Sequence, residues 1–479
     1  MGDASSKFET NATKGVKTLL GDPKKAIITL AIPMIIAMSI QTIYNFVDAL
    51  FVSGFGSSLF TDSTVPGTGS LAIAAIGYVL PFFMMAIAVS TGMGVGAASA
   101  ISRRIGSKDK KGADNVSEHS LFIAIIVAII YTLIFFISAD KLFELIGAGE
   151  SLSYTVSYGK IIFAGSINLY FVNTATALLR GEGDAKRAMY AIVLGSVLNI
   201  ILDPIFIFIF KLGVAGAAYA TVISMTASSL VLIYWLFIKR DTYVKFRLKH
   251  FKFKREILRD IFRVGIPASF QQISMSITML IINLIIIRVA LAGDDGITIY
   301  TIGWRIVMLA ILPILGLATA TISVTGAAFG AKDYEKLDTA FLFSAKFGLI
   351  IELAIASVIF FLAPFLTAIF TTGSGFEGIK DDITTFIMIS CLFYPAAALG
   401  ISSSATFQGT GKGIYSLTAT LLRTIVLTTI LAVIFCCLFD FNLEGIWWGI
   451  VLANLIGSFI SLGWAKYYVN SLKQRKVTA

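Results

Sequence analysis

Apolar residues form long segments along this chain, and charged or glycine-rich stretches separate them. A helix needs about 20 mostly apolar residues to cross a hydrocarbon core about 30 Å thick, and twelve segments meet that requirement. The pattern therefore predicts an all-α integral membrane protein with twelve transmembrane helices. We place these helices near residues 25–54, 70–100, 119–139, 155–179, 187–211, 214–238, 261–291, 297–329, 339–363, 383–407, 415–439 and 444–467.

The composition supports a membrane protein. Of the 479 residues, 57% are hydrophobic and only 14% are charged, with a mean hydropathy of +0.86, whereas soluble chains have about 25% charged residues. The polar first 24 residues lack the apolar stretch and cleavage site of a signal peptide. The three cysteines all lie inside predicted helices, so we expect neither a disulfide framework nor a metal site made of cysteines.

The basic residues are distributed unequally between the two membrane sides. When the loops are assigned to alternate sides, one side collects 30 Lys and Arg residues and the other collects 5. The side richer in Lys and Arg is normally cytoplasmic, so both termini are predicted to be cytoplasmic in the plasma membrane. The formal charge of +10 is then an orientation signal and a contact for membrane lipids, and we expect no nucleic-acid partner.

The two halves of the chain resemble each other. TLAIPMIIAMSIQ around Pro33 matches RVGIPASFQQISM around Pro267, and three further glycine motifs match at offsets of 224, 228 and 229 residues. The chain therefore divides into two six-helix repeats around a central cavity, where transporters with such repeats place their substrate site. The predicted parts are a cytoplasmic tail at 1–24, an N-lobe at 25–238, a basic linker at 239–260, a C-lobe at 261–467 and a second tail at 468–479.

Sequence motifs for enzymatic chemistry are missing. QGTGKG at 408–413 lacks the first Gly and the final Ser or Thr of a Walker A loop. The two histidines, His119 and His250, occupy or border predicted cytoplasmic loops, and no acidic cluster has the spacing of a metal site. We therefore expect a protein that is not an enzyme.

Five ionisable residues lie deep inside predicted spans, where each is by default a functional hypothesis. They are Asp48, Asp203, Arg305, Glu352 and Arg423. We expect Glu352 to form a structural ion pair with one of the two arginines. The aspartates have no counterpart in the second half, and both are predicted to lie in the outer leaflet.

Both aspartates end a polar stripe with helical spacing. The positions i, i+3 and i+7 share one helix face. Further polar residues in the fourth and sixth helices are expected to complete the wall of one cavity. The stripe of the fifth helix is Ser196, Asn199 and Asp203, that of the first is Gln41, Tyr44 and Asp48, and the further residues are Asn173, Thr176 and Thr221.

Several motifs together resemble those of the multidrug and toxic compound extrusion (MATE) family, most closely its archaeal, DinF-like branch. They are GDPKKAIITLAIPMIIAMSIQTIYNFVDALFVSGFG at 21–56, RRIGSKDKKGADNVSEHS at 103–120, LLRGEGDAKRAM at 178–189 and SVLNIILDPIFIF at 196–208. The resemblance implies a twelve-helix antiporter. Such a protein exports amphipathic, often cationic small molecules in exchange for H+ or Na+ and needs no other cofactor, and we expect a monomer.

The resemblance also implies roles for individual residues. It gives Asp48, Asn199, Asp203 and Thr221 to the ion-coupling site of the N-lobe, and the same four residues would be the ligands if Na+ binds. Gln41, Tyr44, Asn173, Thr176 and Ser196 become substrate-binding candidates, although Thr176 stands where an amide is expected. Pro33 marks a point where the first helix bends. We expect H+ to be the coupling ion, with Na+ competing for the site.

Two other functions share features with this pattern. A lipid or lipid-linked oligosaccharide flippase has the same architecture, but its cavity should carry several cationic residues, whereas this N-lobe offers acids. A channel would need a selectivity-filter segment, which the sequence lacks.

The unequal distribution of Lys and Arg generates a topology prediction. Single cysteines introduced at Ser63 and Lys252 should differ in their labelling by an impermeant thiol reagent added to intact cells. We expect Ser63→Cys to react and Lys252→Cys to be protected. The reverse pattern would show that the basic loops face outward.

Overall fold

The computed structural model describes residues 12–54, 68–246, 252–371, 378–437 and 442–477, and every regular element in these ranges is helical. Within these described ranges, eleven helical segments are long and apolar enough to cross a membrane, and a bent pair of shorter helices can supply a twelfth span. Large apolar side chains such as Leu145 and Phe361 are 85% and 80% exposed on the protein surface, as expected where lipid replaces water. The prediction of an all-α membrane protein is confirmed.

The helices of the first half agree closely with the predicted spans. A short helix at Lys14–Leu20 precedes them. Two of them continue as short π-helices, at Ile205–Ile209 and Tyr234–Lys239. The six helices are α1 (Pro23–Val52), α2 (Ser70–Gly106), α3 (Lys110–Leu145), α4 (Leu152–Gly181), α5 (Ala185–Pro204) and α6 (Gly213–Ile233).

The second half contains more and shorter helices. Its eighth and tenth predicted spans are each formed by two helices, and its eleventh contains a π-helix at Leu422–Leu427. The nine helices are α7 (Arg255–Arg288), α8 (Gly293–Ala310), α9 (Leu312–Gly330), α10 (Tyr334–Phe370), α11 (Lys380–Cys391), α12 (Tyr394–Gly409), α13 (Gly413–Leu421), α14 (Thr428–Cys437) and α15 (Asn442–Val477).

Prolines explain why the second half has broken spans. Pro313 and Pro395 lie in the first turns of α9 and α12, where a missing N–H and a fixed φ are tolerated, whereas a helix interior would be kinked or broken. The bend between α11 and α12 is 49°. Val89 and Ile167 occupy the equivalent positions of the first half, and α2 and α4 run through them without interruption.

The repeat predicted from the sequence has matching helix ends. Lys108 and Lys332 both adopt left-handed backbone conformations, with φ of 58° and 56°. Asp109 and Asp333 then cap α3 and α10, each accepting a hydrogen bond from the backbone N–H three residues later, at 2.8 and 3.0 Å. Side-chain capping of this kind stabilises a helix start by about 1 kcal/mol.

The repeat also has matching close contacts. A Cβ atom at Gly216 would lie 2.6 Å from the carbonyl group of Phe206, and one at Gly445 would lie 2.7 Å from that of Phe435. Both pairs are related by an offset of 229 residues, so the same helix crossing requires glycine in each half. The duplication is therefore present in the packing as well as in the sequence.

The chain forms two compact units. One comprises Met1–Lys17 and Ile36–Ser269, and the other comprises Thr18–Ile35 and Phe270–Ala479. Within the second unit, Ile35 of α1 packs against Gly316 of α9. The boundary between the two units falls within α1, between Ile35 and Ile36, two residues after Pro33. The lobe boundaries predicted from the sequence stay a prediction.

The ion pair expected for Glu352 is not formed, so that expectation was wrong. Glu352 is fully buried in α10. The backbone of Ile314 lies close to it, but neither carboxyl oxygen has a hydrogen bond of ordinary geometry. Arg305 is exposed, and Arg423 donates to the amide oxygen of Asn454 at 3.4 Å instead. Helix spacing alone could not show that the arginine side chains point elsewhere.

This unpaired carboxyl group generates a stability prediction. Glu352→Met should leave the unfolding temperature in detergent unchanged or raise it, because the substitution removes a buried polar group that has no partner. Asp338→Asn on the same helix is the matched control. Asp338 pairs with Lys466 at 2.6 Å and with Lys473 at 2.8 Å, so its loss should cost about 2 kcal/mol. Equal destabilisation by both substitutions would contradict our description of Glu352.

Candidate functional site

The polar stripe of α5 faces the protein interior. Ser196, Asn199 and Asp203 are 4%, 2% and 0% exposed. The residues between them in the sequence are all apolar. Pro204 follows Asp203 directly, and the helix continues as the π-helix Ile205–Ile209. Such local widening of a helix is frequent at functional sites. The carboxyl group of Asp203 thus sits where regular α-helix ends.

The second half of α1 brings another acid to Asp203. The carboxyl groups of Asp48 and Asp203 lie close enough to share a hydrogen bond, and such a bond requires a proton on one of the two groups. The Oδ1 atom of Asp48 is inaccessible and has no hydrogen-bond partner. If both carboxyl groups were deprotonated, their negative charges would repel each other in a medium of low dielectric constant. The pair therefore holds a proton or needs another cation.

Asn199 links the acids to α6. Its amide lies 3.3 Å from Oδ1 of Asp203 and 3.3 Å from the hydroxyl oxygen of Thr221. When its nitrogen is turned to donate to Oδ2 of Asp203 at 3.2 Å, its oxygen accepts from the Thr221 hydroxyl group at 3.3 Å. This orientation satisfies both neighbours. Asp203, Asn199 and Thr221 therefore form one hydrogen-bonded chain.

A small cavity of about 90 Å³ lies beside this chain. Pockets for drug-sized ligands usually measure about 300–1,000 Å³, so this cavity has room for a few water molecules or one cation but not for a drug. Eight of its thirteen lining residues are polar, and none is Lys or Arg. The lining residues are Gln41, Tyr44, Leu169, Val172, Asn173, Ile192, Gly195, Ser196, Asn199, Thr221, Ser224, Met225 and Ser228.

A hydrophobic cluster lies one helical turn beyond both acids. Val52 follows Asp48 by four residues and Ile207 follows Asp203 by four, and both are buried in this cluster, against which Tyr158 packs. Tyr158 also lies close enough to both acids to interact with them electrostatically. The cluster separates the acid pair from that end of the helices.

The structure brings together most residues predicted for the site. Six of them line the cavity, and the two acids contact each other beside it. Thr176 does not line the cavity, because its hydroxyl group donates to the backbone oxygen of Val172 at 2.7 Å, a common arrangement for threonine in helices. Pro33 also lies outside the cavity, and α1 is assigned as continuous helix through it. The six cavity residues are Gln41, Tyr44, Asn173, Ser196, Asn199 and Thr221.

The sequence analysis missed a third polar stripe. Thr221, Ser224 and Ser228 follow the same i, i+3, i+7 spacing on α6, and all three line the cavity. Ser228 donates to the backbone oxygen of Ala191 at 2.8 Å, whereas the hydroxyl group of Ser224 is buried and has no partner. The spacing rule that found the stripes of α1 and α5 would have found this one. Ser224 is therefore an additional candidate for contact with a bound ion or water.

The comparisons with known proteins agree on one family. The sequence model of the MatE family matches residues 33–205 and 267–434, which is most of both halves. The multidrug export protein MepA of Staphylococcus aureus strain NCTC 8325 is 30% identical over 433 residues, covering 90% of each chain. MepA of Staphylococcus saprophyticus is 28% identical over 442 residues, covering 90% of this chain and 91% of the other.

Solved structures agree with this assignment. A multidrug resistance MATE family transporter in an outward-facing conformation superposes with a TM-score of 0.91 at 45% identity, covering 97% of this chain and 99% of the other. A MOP superfamily transporter from Pyrococcus furiosus, described as having a binding pocket of reversed polarity, gives a TM-score of 0.90 at 45% identity and covers 96% of this chain and 99% of its own. Because the family model and these relatives span both halves of the chain, this protein belongs to the MatE family of membrane transporters.

Proposed function

We propose that the protein exports amphipathic or cationic small molecules across the plasma membrane in exchange for H+, with Na+ competing for the same site. The relatives named as multidrug exporters support the substrate class. The observation that carries the coupling mechanism is the close approach of the Asp48 and Asp203 carboxyl groups. Both termini face the cytoplasm in this proposal, in accord with the distribution of Lys and Arg.

The acid pair is suited to a change of charge during transport. An ionised carboxylate inside the membrane is costly unless a cation neutralises it. A proton shared by Asp48 and Asp203 leaves one negative charge, and a second proton removes it. Asn199 donates to Asp203 and stabilises the charged form. The pair can therefore exist in several protonation states with little movement of its neighbours.

Competition between ion and substrate follows from this charge change. A cationic substrate is attracted while the pair is ionised, and protons entering from outside remove that attraction. By linkage, each ligand must weaken the binding of the other by the same factor. The cavity has too little volume for a drug-sized substrate in this conformation, so we assign it to the ion. Gln41, Tyr44, Asn173 and Ser196 contact the substrate only in a wider conformation.

Na+ fits the chemistry of the same residues. Two carboxylates, an amide and a hydroxyl group supply the oxygen ligands that hard cations prefer. Oδ1 of Asp48 has no hydrogen-bond partner and is therefore available as a ligand. Asp48, Asn199, Asp203 and Thr221 would hold the ion. Bound Na+ would supply the same neutralising charge as a proton. We prefer H+ because the two carboxyl groups lie close enough to share a single proton.

A flippase for lipids or lipid-linked oligosaccharides is the second candidate. Such a substrate carries phosphate groups, which require basic residues in the cavity. The cavity beside the acid pair has no Lys or Arg among its lining residues, and this favours export of cations. Liposomes that contain both a labelled lipid and a cationic dye separate the two functions, because a flippase would move the lipid and leave the dye in place.

Replacing one acid should uncouple transport from the ion gradient. Asp203→Asn keeps the side-chain volume but fixes its charge, so purified protein in liposomes should lose at least about 90% of gradient-driven dye transport, an order-of-magnitude loss typical for removal of a proton-transfer group. Asp48→Asn should cause a smaller loss. Thr176→Val is the matched control, since Thr176 is buried nearby but does not line the cavity. Near wild-type uphill transport by Asp203→Asn would show that Asp203 is structural.

The identity of the coupling ion can be tested with separate gradients. In liposomes, a proton gradient alone should drive dye transport, and a protonophore should abolish it even when a Na+ gradient is present. Na+ added equally on both sides should slow proton-driven transport, because it competes for the acids. Transport that persists after collapse of the proton gradient, driven by Na+ alone, would reject H+ as the coupling ion.

A further inference from the structure

A basic groove lies at the predicted cytoplasmic end of the first unit. It has a volume of about 910 Å³ and is formed by the last turn of α2 and the first turns of α7. Its lining includes Arg104 from α2, and Arg259, Phe262, Arg263 and Ile266 from α7. None of these residues belongs to the candidate ion site.

One acid in the groove is already neutralised. Asp260 pairs with Arg103 at 2.6 Å and lies 3.7 Å from the guanidinium group of Arg104. Asp260 is therefore committed to joining α7 to α2. It contributes little negative charge toward the opening of the groove.

Two arginines on the groove wall have no such partner. Arg259 and Arg263 are exposed and form no ion pair in the part of the chain that the structure describes, and Glu256, one turn earlier, is not paired with either. The spacing of four residues puts their like charges side by side, which slightly destabilises a helix. Their arrangement thus gains nothing from the fold itself. It provides two cationic side chains to a ligand outside the chain.

The groove changes character along α7. Ile266 is 50% exposed and lies seven residues beyond Arg259, which is about 10 Å along a helix. Phe262 lines the groove beside the arginines. A ligand that fills the groove therefore needs a negative headgroup at one end and a hydrocarbon part at the other.

We propose that this groove binds the headgroup of an anionic phospholipid, with phosphate between Arg259 and Arg263 and an acyl chain along Ile266. The guanidinium group of arginine binds phosphate through several hydrogen bonds at once. Basic pockets at the cytoplasmic end of membrane helices suit such lipids. The proposal concerns one defined site, beyond the general attraction of basic loops to the membrane surface, and it does not depend on the proposed transport function.

Lipid titration tests the site. Purified protein in a neutral detergent should be stabilised against heat by phosphatidylglycerol more than by phosphatidylcholine, because a ligand that binds the folded state raises the unfolding temperature. The double variant Arg259→Gln/Arg263→Gln should bind phosphatidylglycerol roughly thirty-fold more weakly, since each basic residue contributes about a five-fold factor. Native mass spectrometry gives the bound lipid directly, and it also shows whether the variant is folded.

Matched controls make the result specific. Lys252→Gln/Lys254→Gln removes two charges from the segment just before α7, outside the groove. This variant should keep the stabilisation by phosphatidylglycerol. Ile266→Gln should weaken binding of the long-chain lipid more than that of a short-chain analogue. Inorganic phosphate should not stabilise the protein at the same concentration. The proposal is overturned if the arginine variant binds like the wild type, if the lysine variant loses as much, or if phosphate alone reproduces the effect.

Discussion

The close approach of two carboxyl groups inside the membrane is the constraint on which the candidate site depends. Asp48 and Asp203 can approach each other only while a proton or another cation offsets their charges. The groups around them serve this requirement. Asn199 donates to Asp203, and the cluster around Val52 and Ile207 separates the pair from one end of the helices. Stability of the pair and its capacity to change charge therefore have the same physical origin.

The two halves keep a common framework and differ in chemistry. Matching caps at Asp109 and Asp333 and matching glycines at Gly216 and Gly445 preserve the same helix ends and crossings. The acids of the first half have no equivalents in the second, where prolines divide two spans. Both carboxyl oxygens of Glu352 in the second half are buried without a hydrogen bond of ordinary geometry. The environment of Glu352 therefore differs from that of the acid pair, in which Asp203 accepts a hydrogen bond from Asn199.

Small residues set the distances that bring the site together. Gly195 of α5 lies so close to Ser228 of α6 that an added Cβ would be 2.5 Å from the hydroxyl oxygen. This contact holds α5 and α6 close enough for Asn199 to reach Thr221. At the other end of the same unit, the ion pair of Arg103 with Asp260 holds the start of α7 against α2. It leaves the neighbouring arginines of the groove available to a ligand.

Much of this protein could be predicted from local sequence patterns. The twelve apolar segments and the repeat are visible in the order of the residues alone. The polar stripes of α1 and α5 follow a period of a few residues, which the backbone geometry of a helix imposes. Six of the thirteen residues that line the cavity followed from these stripes and from the family resemblance. The stripe through Ser224 obeys the same rule and was available to the same reasoning.

Other features depended on contacts between distant segments. Thr176 bonds to its own helix instead of lining the cavity, and Glu352 does not meet Arg305 or Arg423. The basic groove exists because Arg104 and Arg259, which are far apart in sequence, lie on adjacent helices. A sequence specifies which face of a helix is polar, because that face repeats every 3.6 residues. Which faces meet, and at what distance, is decided only when the side chains of different helices pack together.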